Sequence, residues 1–353
     1  MRVADRPARV TVFARARPGG QPKGARLPAL TYPEAIVVGL FQGVFELFPV
    51  SSLGHSVLIP ALIGGRWARD LNVSAPESPY LAFIVGLHVA TALALLAYFW
   101  RDWLRILGGF GTSLRDRQVR TADQRLAWLI ILATIPVGIT GLLLEHTFRT
   151  VLGKPIPAAI FLTANGVILY AGERLRRRDP DQPAPAGHAR QMAAVSASRP
   201  AAPERPPGHH AVRRHESAAD RAADRRLAGL GYPQAVLIGS MQILALLPGI
   251  SRSGVTMVAG LARGLSHEDA ARFAFLLATP VILAAGALKI PDLAGPLGHG
   301  IRGQILAGSL LSGIGAYLSV RFLLRYFQTR TLTPFAVYCT VAGLGSLAYL
   351  TLS

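Results

Sequence analysis

Gln42-Gly43-Val44-Phe45-Glu46-Leu47-Phe48-Pro49-Val50-Ser51-Ser52-Leu53-Gly54-His55 interrupts an otherwise apolar block that runs from about 31 to 64. A helix needs roughly 20 apolar residues to cross a bilayer. Neither half of this block reaches that length, because the Pro-Val-Ser-Ser-Leu-Gly cluster breaks it in the middle. Non-helical backbone at membrane depth is tolerated only where it is buried in protein or lines a wet cavity. The block therefore reads as a re-entrant helix–turn–helix hairpin. A second block, about 231–262, breaks in the same way at Pro248-Gly249-Ile250-Ser251-Arg252-Ser253-Gly254.

The two blocks align without a gap at an offset of 200 residues. Tyr32, Pro33, Ala35, Gly39, Gln42, Leu47, Ser51 and Gly54 match Tyr232, Pro233, Ala235, Gly239, Gln242, Leu247, Ser251 and Gly254. Apolar composition alone yields chance Ala, Gly and Leu matches, but not the Tyr-Pro, Gln and Ser coincidences. The chain reads as a duplication, with repeats at 30–172 and 229–353.

Six further apolar blocks are span candidates: about 79–100, 126–144, 156–172, 269–290, 303–324 and 333–352. The predicted fold is an all-α polytopic membrane protein in which each half holds one re-entrant hairpin and three transmembrane helices. Three spans is an odd number, so the second half is inverted relative to the first. In such inverted repeats the site lies at the midplane, where the broken elements meet.

Composition agrees with a membrane protein. The 353 residues are 51% hydrophobic and 16% charged, against roughly 25% charged in soluble domains. The net charge of +18 is concentrated in a few segments. Residues 1–29 form a basic tail expected to be disordered. Residues 101–125 form a basic loop, and 173–228 a Pro/Ala/Arg-rich linker without hydrophobic periodicity, also expected to be disordered. By the positive-inside rule, 101–125 and 173–228 lie on the cytoplasmic side, although the basic tail pulls the other way. The charge thus reports topology, not nucleic-acid binding. Cys339 is the single cysteine, which excludes an internal disulfide and a Cys-based metal site.

Ionisable residues inside apolar blocks mark function. Gln42 and Glu46 are four apart and share a helix face. Ser51 and Ser52 open the second half-helix, where hydroxyls cap the helix and free N–H groups face an anion. His55 lies three residues beyond Ser52. The second turn carries Ser251, Arg252, Ser253 and Thr256, with Arg252 suited to bidentate phosphate contact. Taken singly, these are a buried carboxyl, a packed histidine, plain N-caps and a snorkelling arginine. Placed together in repeat-related turns, they form a phosphate site with an acid/base pair. His88 lies in the first span, where cavity lining and interhelical packing are equally good explanations. Glu173 and Arg272 read as interfacial or supporting.

With these motifs the chain resembles the undecaprenyl-diphosphate phosphatase family, also called the bacitracin-resistance protein family. The first family motif is the stretch from Gln42 to His55, and the second runs from Pro248 to Thr256. A third is Arg272-Phe273-Ala274-Phe275-Leu276-Leu277-Ala278-Thr279-Pro280. The first acidic position is Gln42 here, which leaves one carboxylate, Glu46, for a metal. The resemblance implies hydrolysis of undecaprenyl diphosphate at the outer face of the bacterial plasma membrane. It also implies a divalent cation, Mg²⁺ or Ca²⁺, held by Glu46 with Gln42. The implied partners are undecaprenyl diphosphate and membrane lipid, with room for a homodimer. The expected catalytic residues are Glu46, Ser52, His55 and Arg252. Gln42, Ser51, Ser251, Ser253 and Thr256 are expected to bind phosphate. Serine, histidine and water all remain open as nucleophile. A lipid-phosphate transporter or flippase is the rival reading. A bare cationic flippase site, however, has no use for an acid facing the phosphate.

Overall fold

Pro33 near the start of the first helix, and Pro233 two hundred residues later, set two matching helix N-termini. In the first, the backbone N–H and hydroxyl of Thr31 donate to Glu34 at 2.8 and 2.6 Å. In the second, the Gly231 N–H donates to Gln234 at 3.0 Å. Both satisfy donors that a helix start leaves orphaned. The computed structural model describes residues 30–71, 79–177, 221–294 and 300–352. Among these, the regular secondary structure is entirely helical.

The first hairpin is α1 (Tyr32–Phe45) and α2 (Ser52–Ile63), followed by the short α3 (Gly65–Asp70). Next come α4 (Pro79–Tyr98), α5 (Trp100–Asp116), α6 (Ala122–Leu152) and α7 (Pro155–Arg177). The second part opens with α8 (Arg221–Ala228). Its hairpin is α9 (Tyr232–Ser240), which tightens into a 3₁₀ turn at Met241–Leu246, and α10 (Arg252–Leu261). It ends with α11 (His267–Ala294), α12 (Arg302–Tyr326) and α13 (Thr333–Leu352). Five helices, α6, α7, α11, α12 and α13, are each long and apolar enough to cross a membrane. The number rises to as many as seven if the bent pairs α4–α5 and α8–α9 are each counted as one span.

Packing between the halves is reciprocal. Helix α1 lies on α12, with Gly39 pressed against the backbone of Gly308; α9 lies on α6, with Gly239 pressed against the backbone of Ala133. A Cβ at either glycine would enter the neighbouring backbone, which is why both aligned positions are glycine. Helices α7 and α13 pack on each other by the same exchange. Gly166 meets Ala336 and Thr340, and Gly343 meets Ala159 and Thr163.

Two expectations need correction. Residues 101–125 are not a plain basic loop, because α5 folds there at 83° to the preceding helix. It is amphipathic, with Leu104, Leu107 and Leu114 exposed and Ile106, Gly109 and Ser113 buried. Nor is 173–228 disordered throughout. Residues 173–177 complete α7, and 221–228 form α8. The remaining linker residues, 178–220, and the basic tail, 1–29, lie outside the described residues.

Ion pairs account for the helical linker ends. Asp224 on α8 receives Arg105 at 2.6 Å and Arg272 at 3.0 Å, and Arg272 also reaches Asp102 at 3.1 Å. Arg226 binds Asp269 through two hydrogen bonds of 2.8 and 2.7 Å. Glu173 on α7 pairs with His267 on α11 at 2.8 Å. Arg272, which opens the third motif, belongs to this layer. Its guanidinium also lies over the Phe99 ring.

Candidate active site

Ser51 and Ser251 set up both turns. Each hydroxyl accepts the N–H of the glycine three residues on, Gly54 or Gly254, at 3.2 Å. They also stitch the turns together. The Gly249 N–H donates to Ser51 Oγ at 3.2 Å. The hydroxyls of Ser251 and Ser253 lie 3.3 and 3.2 Å from the Phe48 carbonyl, to which each donates. Asn165 of α7 closes the seam, donating to the Pro49 carbonyl and accepting from the Ser251 N–H. Ser51, Ser251 and Ser253, expected to bind phosphate, spend their hydroxyls on this seam. The Thr256 hydroxyl likewise donates to the Arg252 carbonyl at 2.7 Å. The seam fixes how α2 and α10 start, and therefore where Ser52 and Arg252 point.

Both point at Glu46. Its side chain is 5% exposed and sits where α1 ends. Ser52 donates to Glu46 Oε2 at 2.5 Å, and the Gln42 amide donates to the same oxygen at 3.0 Å. Arg252 Nη2 lies 3.4 Å from the other oxygen, Oε1. Arg252 Nη1 is buried and has no protein partner. A hydroxyl held against a carboxylate has the geometry that a nucleophile and its base require. The guanidinium beside it keeps an unmet donor of the kind that pairs with carboxylate or phosphate oxygens.

His88 of α4 completes the cluster. Its Nδ1 lies 2.9 Å from the Ile84 carbonyl, an acceptor only, so Nδ1 carries a proton. That leaves Nε2 facing Gln42 Nε2 at 3.2 Å and Glu46 Oε2 at 3.5 Å. Sequence reasoning left His88 unassigned. The available signal was an ionisable residue in an apolar span, and the spacing did not reveal which face of α4 meets α1.

His55 goes elsewhere. Its ring nitrogens face the Ser51 carbonyl at 2.7 Å and the Tyr338 hydroxyl at 2.8 Å, not Glu46. It borders two apolar recesses. One is shared with Gln42 and Ser52. The other is a cavity of about 190 Å³, walled by Phe41, Phe45, Leu58, Leu62, Leu162 and Tyr338.

No group of three or more His, Cys, Asp or Glu that would hold a metal occurs among the described residues. The fit to a divalent cation therefore rests on Glu46 and the amide oxygen of Gln42. Mg²⁺ characteristically binds through one or two carboxylates and completes its shell with substrate phosphate and water. In the present geometry Glu46 Oε2 accepts from Ser52 and the Gln42 amide and Oε1 faces Arg252, so a cation would take the place of one of these donors.

Helices long and apolar enough to cross a membrane fit a multi-pass membrane protein, and its broken hairpins bring the Ser52–Glu46 hydrogen bond and the Arg252 guanidinium to one buried point. The match to a family is direct. The chain belongs to the bacitracin resistance protein BacA family, whose model matches residues 35–345. It is 65% identical over 323 residues to an undecaprenyl-diphosphatase of Mycolicibacterium paratuberculosis, covering 92% of this chain and 98% of the relative. It is 58% identical over 361 residues to undecaprenyl-diphosphatase 1 of Frankia casuarinae, covering 90% and 97%. An undecaprenyl-diphosphatase 2 of Burkholderia lata is 41% identical over 318 residues, covering 89% and 95%.

Proposed function

We infer that this chain is an undecaprenyl-diphosphatase. It hydrolyses undecaprenyl diphosphate to undecaprenyl phosphate and inorganic phosphate, recycles the lipid carrier for peptidoglycan synthesis, and thereby confers bacitracin resistance. The observation that carries the reading is the 2.5 Å Ser52–Glu46 hydrogen bond with Arg252 on the carboxylate's other oxygen.

The geometry supports Ser52 as nucleophile. Glu46 takes the hydroxyl proton as Oγ bonds to the terminal phosphorus and the anhydride P–O bond breaks. Undecaprenyl phosphate leaves and takes that proton from Glu46; a water then attacks the phosphoserine phosphorus, with Glu46 accepting the water's proton and returning it to Ser52 Oγ as the serine P–O bond breaks and inorganic phosphate leaves. Arg252 neutralises charge on the transferring group, which is most of what phosphoryl transfer asks of a protein. Gln42 and His88 hold Glu46 in place. The apolar cavity beside His55 takes the first isoprene units.

A divalent cation, Mg²⁺ or Ca²⁺, would be held by Glu46 and Gln42 and would supply further positive charge at the phosphate. Purified protein in detergent is expected to release phosphate from undecaprenyl diphosphate. EDTA should slow it at least about tenfold, with recovery on adding excess Mg²⁺ or Ca²⁺. An EDTA-resistant rate would remove the cation from the mechanism, and no release at all would remove the activity.

The reciprocal packing supports an inverted repeat, and the basic residues of 101–125 and 173–228 argue for a cytoplasmic linker 173–228 with the site open to the outer face of the plasma membrane. A cysteine placed in 178–220, with Cys339 replaced, is expected to resist an impermeant thiol reagent in intact cells and to react after lysis. Labelling in intact cells would reverse the orientation.

A further inference from the structure

The two turns are related by the repeat, but their backbones differ at one residue. Ser251 is extended, with φ −86° and ψ 124°. Its counterpart Ser51 has φ 67° and ψ 98°, in the left-handed region that residues with a Cβ avoid. Such strain persists only where the surroundings over-determine it, and it collects where a side chain must be aimed. The residue after Ser51 is Ser52, whose hydroxyl meets Glu46.

His55 is one of the elements that hold Ser51. Both its backbone N–H, at 3.3 Å, and its Nδ1, at 2.7 Å, reach the Ser51 carbonyl. A carbonyl only accepts, so Nδ1 carries the proton and Nε2 of the neutral ring is an acceptor. The Tyr338 hydroxyl, 2.8 Å away, donates to it. The ring is also clamped by its faces. The Phe45 ring centroid lies 4.5 Å away, and the Tyr338 ring is stacked at 5.7 Å. Tyr338 sits on α13, so the chain of contacts ties the strained turn to the last helix of the fold.

We propose that Tyr338 and His55 form a positioning brace that holds the left-handed Ser51 turn and so aims Ser52 at Glu46. In this role His55 carries no proton to or from substrate. The brace rests on the phosphatase reading for its kinetic consequence, but not for its existence.

The test is a coupled set of variants of the full chain in detergent. Tyr338→Phe keeps the ring and removes the donor. It is expected to lower kcat about tenfold with KM within about twofold, the pattern of a misaimed nucleophile. Glycine adopts positive φ without strain, so in a Ser51→Gly background the same change should cost less than about threefold. His55→Asn keeps a short N–H donor for the Ser51 carbonyl but has no titratable ring. It should stay within about tenfold of wild type, whereas His55→Ala should fall about 100-fold. Equal losses from Tyr338→Phe in both backgrounds, or His55→Asn as slow as His55→Ala, would overturn the brace. Melting temperatures of the same four-way set give a second readout. Tyr338→Phe should lower Tm more with Ser51 than with Ser51→Gly, and additive Tm shifts would again overturn the brace. If wild type released no phosphate, the functional reading would fall, and the melting cycle would still decide the brace.

Discussion

Glu46→Gln is expected to lower kcat for phosphate release by about 10³-fold, within the range that removal of a positioned general base produces. The substitution is nearly isosteric and leaves the Gln42 and His88 contacts geometrically available. What disappears is charge. Ser52 now donates to a carboxylate at 2.5 Å, and an amide oxygen in its place has far less affinity for the hydroxyl proton. Arg252 also loses the counter-charge 3.4 Å away. Because the phosphate itself supplies anionic oxygens to Arg252, substrate binding should suffer less than turnover, and KM should change by a smaller factor than kcat. Glu46→Asp keeps the charge but draws it back by one methylene, and is expected to fall between the two. Initial phosphate-release rates over a range of substrate concentrations give both parameters. A Glu46→Gln enzyme with near-wild-type kcat would mean that Ser52 has another base or is not the nucleophile.

The broken hairpins were legible because they violate two strong rules at once. Pro49 and Gly249 end helices inside apolar blocks, where hydrocarbon forbids free backbone, and the aligned Tyr-Pro, Gln and Ser positions tie the breaks together. Glu46 and Arg252 stood out for a related reason, since an ionisable side chain inside an apolar block is costly without a partner, and Ser52 stood out by its place at a helix start. The partners themselves were less legible. His88 meets Glu46 across 42 residues of sequence, and only packing decides that this face of α4 meets α1. The contacts of His55 were not legible because sequence spacing fixes which helix face a residue occupies, but not which of two neighbours on that face it bonds. Tyr338, 283 residues away in sequence, captures it. The contacts of the serine hydroxyls were not legible either. Ser51, Ser251 and Ser253 have the composition of an anion site, yet two helix starts meeting inside a protein must first satisfy each other's backbone groups, and the hydroxyls go there.

Asp224 and Glu173 carry a second lesson about charge. Both are almost fully buried, at 1% and 3% exposure, in a stretch whose composition is that of a solvated linker. Counting Lys and Arg along 173–228 gives the sign of the segment but not its partners. The partners are Arg105, Arg272 and His267, on α5 and α11. Low hydrophobicity predicts disorder only when no other element supplies the matching charges. Here α5, itself missed as a helix, supplies one of them. The layer fastens the start of the second half to the first through Asp224, and so helps to keep α6 against α9 and the two turns in register.

Arg252→Ala is the second large effect expected, a loss of about 10²–10³ in kcat/KM, comparable to removing one preorganised oxyanion contact. Here both parameters should move. Arg252 Nη1 is buried and without a protein partner, an unmet donor that a bound phosphate oxygen would satisfy in the ground state, so KM should rise. Charge on the transferring phosphoryl group is also met by Arg252, so kcat should fall. Glu46 sharpens the effect, because without the cation its carboxylate confronts the incoming phosphate directly. Arg252→Lys restores the charge but not the planar fork, and should recover only part of the loss. The most discriminating measurement is the double variant. If Glu46 and Arg252 act on one phosphoryl-transfer step, Glu46→Gln with Arg252→Ala should be at most about threefold slower than the worse single variant, since groups that work as a unit are strongly non-additive. A fully multiplicative loss would place the two residues on separate steps, with Arg252 serving lipid-phosphate capture and Glu46 alone serving the chemistry at Ser52.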